Sequence, residues 1–192
     1  MSMLGLLRVA RVIDACNSFI GRAMGWIALL MVAIGVANVV GRYLGAYLSM
    51  QLSSNSLLEA QTYAYSLVFF LGAAHVLRSE GHIRVDILYI RFSARTRAWV
   101  DLIGTAVLLI PFCVFALYFS VDYVAHSWKV MEMSPNPGGL PRYPLKTVIL
   151  VAFTMLLLQA VSEMIKRAAW LRGVPGPGEG DERRVSAEEE QG

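Results

Sequence analysis

Residues 23–41, 60–77, 102–121 and 147–162 contain no Asp, Glu, Lys or Arg, so every charge of the chain lies between these runs or beyond them. About 20 apolar residues in a helix cross a hydrocarbon core of about 30 Å. Counted with their flanking residues, all four runs reach that length. The pattern predicts membrane-spanning helices at about 23–41, 59–78, 100–121 and 144–165. The expected fold class is an all-α membrane protein, with four transmembrane helices and interfacial amphipathic segments.

The intervening segments have characters of their own. Residues 3–22 mix apolar residues with Arg8, Arg11 and Asp14 at helical spacing, as in an amphipathic helix that lies on the membrane surface or leads directly into span one. Residues 42–58 are polar enough to sit outside yet apolar enough to rest on the membrane, and much of 79–98 also reads as interfacial. Pro111 should kink span three, because proline removes a backbone donor and clashes with the preceding turn. The stretch SPNPGGLPRYP, 134–144, is too rich in proline and glycine for helix or sheet and reads as a defined, extended turn. Residues 173–192 have few large apolar side chains and read as disordered. The organisation is an amphipathic segment at 1–22, a helical membrane domain at 23–170 and a tail at 171–192.

Charge adds an orientation. Of the 17 Lys and Arg residues, only Arg42, Lys129, Arg142 and Lys146 fall on the outer side when the N-terminus is placed in the cytoplasm. Basic residues concentrate on the cytoplasmic side of membrane proteins, so both termini are expected there. Trp26, Trp99 and Trp170 then mark the inner interface, and Tyr43, Tyr123, Trp128 and Tyr143 the outer one. The net charge of +3 needs no nucleic-acid partner to explain it. Cys16 and Cys113 sit at different expected depths, which argues against a disulfide.

Candidate chemistry is sparse. No GxxxxGK[ST] phosphate loop occurs. Coupled carriers place carboxylates or paired broken helices near the midplane. The centres of these runs offer instead Asn38, Gln61, Tyr63, Tyr65, Ser66, Thr105 and Gln159, most of them near span ends. By itself the chain is a poor candidate for a solute pathway or an enzyme. His75, His82 and His126 raise an alternative, a four-helix membrane haem or redox protein. His75 and His82 belong to one helix or its extension, however, and His126 lies across the membrane, so no cofactor is expected. Span one has small residues at four-residue steps, Ala33, Ala37, Gly41 and Gly45, with Gly21 and Gly25 before them. Such a stripe lets another helix approach closely, either within the chain or from a partner. Arg42 and Glu59 are both expected near the outer interface, paired with each other or with a partner.

Several short motifs recur in a recognisable order. Asn38-Val39-Val40-Gly41-Arg42-Tyr43 closes span one and Glu59 opens span two. Gly81-His82-Ile83-Arg84-Val85-Asp86 lies in the inner loop, and Asn136-Pro137-Gly138-Gly139-Leu140-Pro141 with Lys146 leads into span four. In these motifs, their spacing and the four-span layout, residues 10–172 resemble the small membrane subunit of tripartite ATP-independent periplasmic (TRAP) transporters. The stretch from Glu132 to Lys146 looks most like the subgroup labelled for mannitol or chloroaromatic compounds.

The resemblance implies a multi-pass protein of the bacterial inner membrane and a division of labour. A large membrane subunit moves a substrate, usually an organic acid, with sodium ions, and a soluble periplasmic protein captures it. The small subunit is non-catalytic, scaffolds the large one among membrane lipids and helps to dock the binding protein. Because the chain ends after span four, it is similar to the separate small subunit rather than to a fusion. The partner-interface candidates on this reading are Ala33, Ala37, Gly41, Arg42, Glu59, Gly81, His82, Arg84, Asp86, Asn136, Gly138, Gly139, Leu140 and Pro141.

Overall fold

The structure is a computed structural model that describes residues 3–50, 54–79 and 92–173. Its helices are α1 (Met3–Leu48), α2 (Asn55–Arg78), α3 (Ala94–Gly104), α4 (Ile110–Lys129) and α5 (Arg142–Leu171). A π-helical turn, Thr105–Leu109, joins α3 to α4. The described residues contain no named strand, and the fold is all-α. The stretches Gly5–Leu48, Arg95–Lys129 and Arg142–Leu171 are long and apolar enough to cross a membrane. With 24 residues α2 is also long enough, but Gln61, Thr62, Tyr63, Tyr65 and Ser66 dilute the hydropathy of its first half.

The amphipathic segment at 3–22 continues into span one without a break. α1 runs on past Arg42 as well, into the stretch expected to sit outside or rest on the membrane. Its 46 residues amount to roughly 70 Å at about 1.5 Å per residue, more than twice the hydrocarbon thickness. The face α1 turns inward follows alternating steps of three and four: Leu7, Ala10, Asp14, Asn17, Gly21, Met24, Ala28, Met31, Gly35 and Asn38. All of these are buried or partly buried. Steps averaging 3.5 keep one seam aligned along a gently supercoiled helix, as in coiled coils. Here the seam is filled mostly by small and polar residues, as membrane helix contacts favour.

Along that seam α1 and α2 run antiparallel. Gly21 lies directly beneath the imidazole of His75, so closely that a β-carbon there would sit 2.6 Å from the His75 Cβ. One on Gly35 would sit 2.7 Å from the Gln61 amide nitrogen. Arg78 at the end of α2 reaches Ser18 of α1. The first part of α1 leans on the last part of α5 through a polar network. Asp14 accepts from the Gln159 amide (2.8 Å), the Ser162 hydroxyl (2.8 Å) and Lys166 (3.0 Å). Asn17 donates to Gln159 at 2.6 Å, and Glu163 also holds Lys166 at 2.5 Å. Asp14 thus turns toward another helix rather than toward water.

α5 is the hub. It touches α1 and α2 on one side and α3, the π turn and α4 on the other, while α2 and α4 barely meet. The chain's first and last helical segments come together at one end, and the α4–α5 turn lies at the other. At Pro111 the expected disturbance takes the form of a π turn just before it. The proline has no N–H for the carbonyl of Val107, and the Ile110 amide bonds back to Thr105, five residues earlier. Cys16 and Cys113 are both free thiols.

Candidate functional site

α4 ends when Met131 adopts a left-handed conformation (φ 45°) and the Glu132 amide returns to the Ser127 carbonyl at 3.0 Å. The chain then doubles back. Arg142 N–H donates to the Glu132 carbonyl at 2.8 Å and Ser134 N–H to the Leu140 carbonyl at 3.2 Å, around an antiparallel bridge between Met133 and Pro141. At the tip the Gly139 amide bonds to the Asn136 carbonyl at 3.0 Å. Pro137 follows Asn136, and Gly138 has φ +69°. That is a type II turn, in which proline suits the second position and the third demands a left-handed residue such as glycine. The expected extended turn is therefore a small hairpin, closed by bonds that flank the proline lacking a donor.

One face of α2 holds this hairpin. Ser54 caps the helix by accepting from the Leu57 amide at 3.3 Å, which aims the next residues at the turn. Asn55 donates to the Pro137 carbonyl at 3.3 Å and Ser56 to the Gly138 carbonyl at 2.5 Å. Glu59 takes three donors at once: the Ser134 hydroxyl, the Asn136 amide at 2.8 Å and the Leu140 backbone N–H at 2.6 Å. One helical turn on, the Tyr63 hydroxyl reaches the carbonyls of Leu140 (3.2 Å) and Pro141 (2.9 Å). Hydrogen bonds to a carboxylate are among the stronger kind, so Glu59 is the central grip.

The base of the hairpin is tied separately. Glu132 pairs with Lys146 of α5 and accepts from Ser127 at 2.7 Å. The Lys146 bond first, and the Ser127 bond second, hold the Glu132 carboxyl below its ordinary pKa. Lys146 also lies 4.0 Å above the Tyr123 ring, and Trp128 packs edge-on against Tyr143 while donating to Thr147 at 2.8 Å.

A family model described as tripartite ATP-independent periplasmic transporters, DctQ component, matches residues 31–169. The chain belongs to that family. It is a small permease component of a TRAP transporter, a multi-pass helical membrane protein. Comparison with curated proteins and with solved structures gives no match. The matched residues run from inside α1 to the last turn of α5 and include the whole of the clamped turn.

In this TRAP component, the interface candidates from the sequence fall into three groups. Glu59, Asn136, Gly138, Gly139, Leu140 and Pro141 come together in the clamp, and Gly139 is so close to Ser134 that a β-carbon would sit 2.7 Å from its hydroxyl. Ala33, Ala37 and Arg42 are exposed on α1, with Gly41 partly buried beside them. Arg42 is not paired with Glu59, whose carboxylate is taken up by the turn. Gly81, His82, Arg84 and Asp86 lie outside the described residues, as does the tail from 174 onward. His75 sits over Gly21 toward one end of the bundle and His126 in the last turn of α4 at the other.

Sequence reasoning missed two groupings: Asn55, Ser56 and Tyr63 as clamp residues, and the Asp14–Gln159–Lys166 network. The only signal for the first was a serine-rich helix start facing a glycine-rich turn. For the second it was Gln159 in an otherwise apolar run.

Proposed function

We propose that this TRAP component is the fixed, non-catalytic scaffold of a sodium-coupled transporter for organic acids in the bacterial inner membrane. It crosses four times with both termini in the cytoplasm, packs beside the large membrane subunit and offers the α4–α5 turn to the periplasmic binding protein. The observation that carries this reading is the clamp: side chains of α2 grip a solvent-exposed turn through six hydrogen bonds or more and make it a rigid platform. Loops of defined shape commonly carry recognition. The exposed stripe around Ala33 and Ala37 suits a partner helix, because small side chains permit close approach.

The test is uptake by the assembled transporter and its capture of the binding protein. Gly138→Val puts a β-branched residue at φ +69°, where the left-handed conformation costs about 1–2 kcal/mol. Capture and uptake should fall while co-purification with the large subunit persists. Gly138→Asn, which tolerates that conformation, should keep both. Unchanged uptake in the valine variant removes the turn from docking, and transport by the chain reconstituted alone removes the scaffold reading.

A further inference from the structure

Between α2 and α4, which barely meet, lies a cleft of about 410 Å³ with α5 as its floor. Volumes of roughly 300–1,000 Å³ are typical of small-molecule sites. Its lining changes with depth. Glu59 and Arg142 stand at the end under the turn, Tyr63, Leu145 and Lys146 come about one helical turn further, Ser66 about two, and Phe70 and Ile149 close the far end. From residue 59 to 70, α2 covers roughly 16 Å at about 1.5 Å per residue. The cleft is therefore charged at one end and apolar at the other, like an amphiphile.

Its charges are unequally spent. Glu59 is filled by the turn's donors, and Glu132 holds Lys146. The guanidinium of Arg142 is half-buried within electrostatic reach of both carboxylates and makes no side-chain hydrogen bond among the described residues. Guanidinium is the side chain best matched to a phosphate, whose oxygens it meets two at a time. A guanidinium with unused donors at one end of a cleft whose other end is apolar suits an amphiphile that carries a phosphate, and for a chain that lies in a membrane that amphiphile is a phospholipid.

We infer that the cleft is a phospholipid site, with the lipid phosphate on Arg142 and an acyl chain against Phe70, Leu145 and Ile149. The bound lipid would fill the gap between α2 and α4 beneath the clamped turn. This inference requires only that the chain lies in a membrane. Its failure leaves the docking proposal standing, and loss of docking leaves the lipid site standing.

The experiment is native mass spectrometry of the full-length chain, delipidated in mild detergent and titrated with dioleoylphosphatidylglycerol. Dioleoylglycerol, which lacks the phosphate, and inorganic phosphate serve as the other two probes. One phospholipid should bind per chain, with dioleoylglycerol weaker by roughly tenfold or more, since a charge-assisted contact is lost. Arg142→Gln and the floor-filling Ile149→Trp should each weaken phospholipid binding to a similar degree. Arg142→Lys keeps the charge without the fork and should fall between. Helical circular dichroism identifies any variant that has not folded, in which case the dioleoylglycerol comparison on the unaltered chain decides. Equal binding of dioleoylglycerol, full binding by both folded variants, or displacement of the lipid by millimolar inorganic phosphate overturns the inference. So does loss of the lipid when the large subunit is added, which would assign the cleft to a partner segment.

Discussion

Glu59 and the turn it grips are separated by 75 to 81 positions in the chain, yet three donors converge on its two oxygens. Replacing it by Gln removes the charge and presents an NH₂ group to donors that need an acceptor. Hydrogen exchange at the Leu140 amide should accelerate by roughly tenfold or more, because that N–H loses its charged partner. Exchange in α5 should stay as it was. Peptide-resolved exchange over 133–141 checks this, and unchanged protection would mean that the hairpin holds itself. Glu132 sets a pH dependence. Its folded-state pKa lies below its unfolded value because Lys146 and Ser127 bond to the ionised form. The group therefore stabilises the fold fully above the ordinary carboxylate range. That contribution fades as pH falls through the depressed folded value. Melting midpoints in detergent should drop across that acidic window, and Glu132→Gln should flatten the drop.

The long first helix shows how a membrane protein hides its packing code. Its inward seam repeats in threes and fours, but after Leu7 it is written in Ala, Gly, Asn, Asp and Met, while most of the larger apolar side chains face outward. Trp26 is 75% exposed and Tyr47 88%. The four-residue stripe Ala33, Ala37, Gly41 and Gly45 behaves differently. At 3.6 residues per turn each four-residue step advances about 40° around the helix, so the stripe drifts. It starts exposed at Ala33 and ends buried at Gly45. Gly21 is where the seam is tightest. Gly21→Val should destabilise the α1–α2 pair by about 1–3 kcal/mol, the usual cost of overfilling a packed contact. Adding His75→Gly should recover part of it, since the His75 Cβ and imidazole are what the new side chain meets, less about 1 kcal/mol for a glycine within α2. Thermal unfolding of the single and double variants tests this. Recovery absent in the double variant would place the clash elsewhere.

As an assembly of helices the molecule is open rather than closed. Among the described helices α5 makes nearly all the contact between the α1–α2 pair and α3 and α4, and apolar side chains such as Phe115 and Tyr118 on α4, with Leu108 in the π turn, stand exposed. Single exposed apolar residues are ordinary, and in a membrane lipid covers them. Ala37→Trp on the outward side of α1 should leave the melting of the isolated chain unchanged, because Ala37 is exposed. If that face receives the large subunit, the same change should reduce co-purification several-fold. Full co-purification would move the contact to another helix.

The uncharged runs, read against bilayer thickness, were enough to establish the all-α membrane class, because hydrocarbon penalises charge wherever a helix crosses it. The ordered motifs from Asn38 to Lys146 carried the family. Local chemistry even located the turn, since Asn136-Pro137-Gly138-Gly139 permits few other conformations. What residue types alone left open was partnership across distance. Whether Glu59 met Arg42, a partner or a turn, and whether Asp14 faced water or Gln159, depended on which helices α5 brought together. Polar side chains in a bilayer seek whichever donor or acceptor is nearest in space, and only the tertiary arrangement decides which one that is.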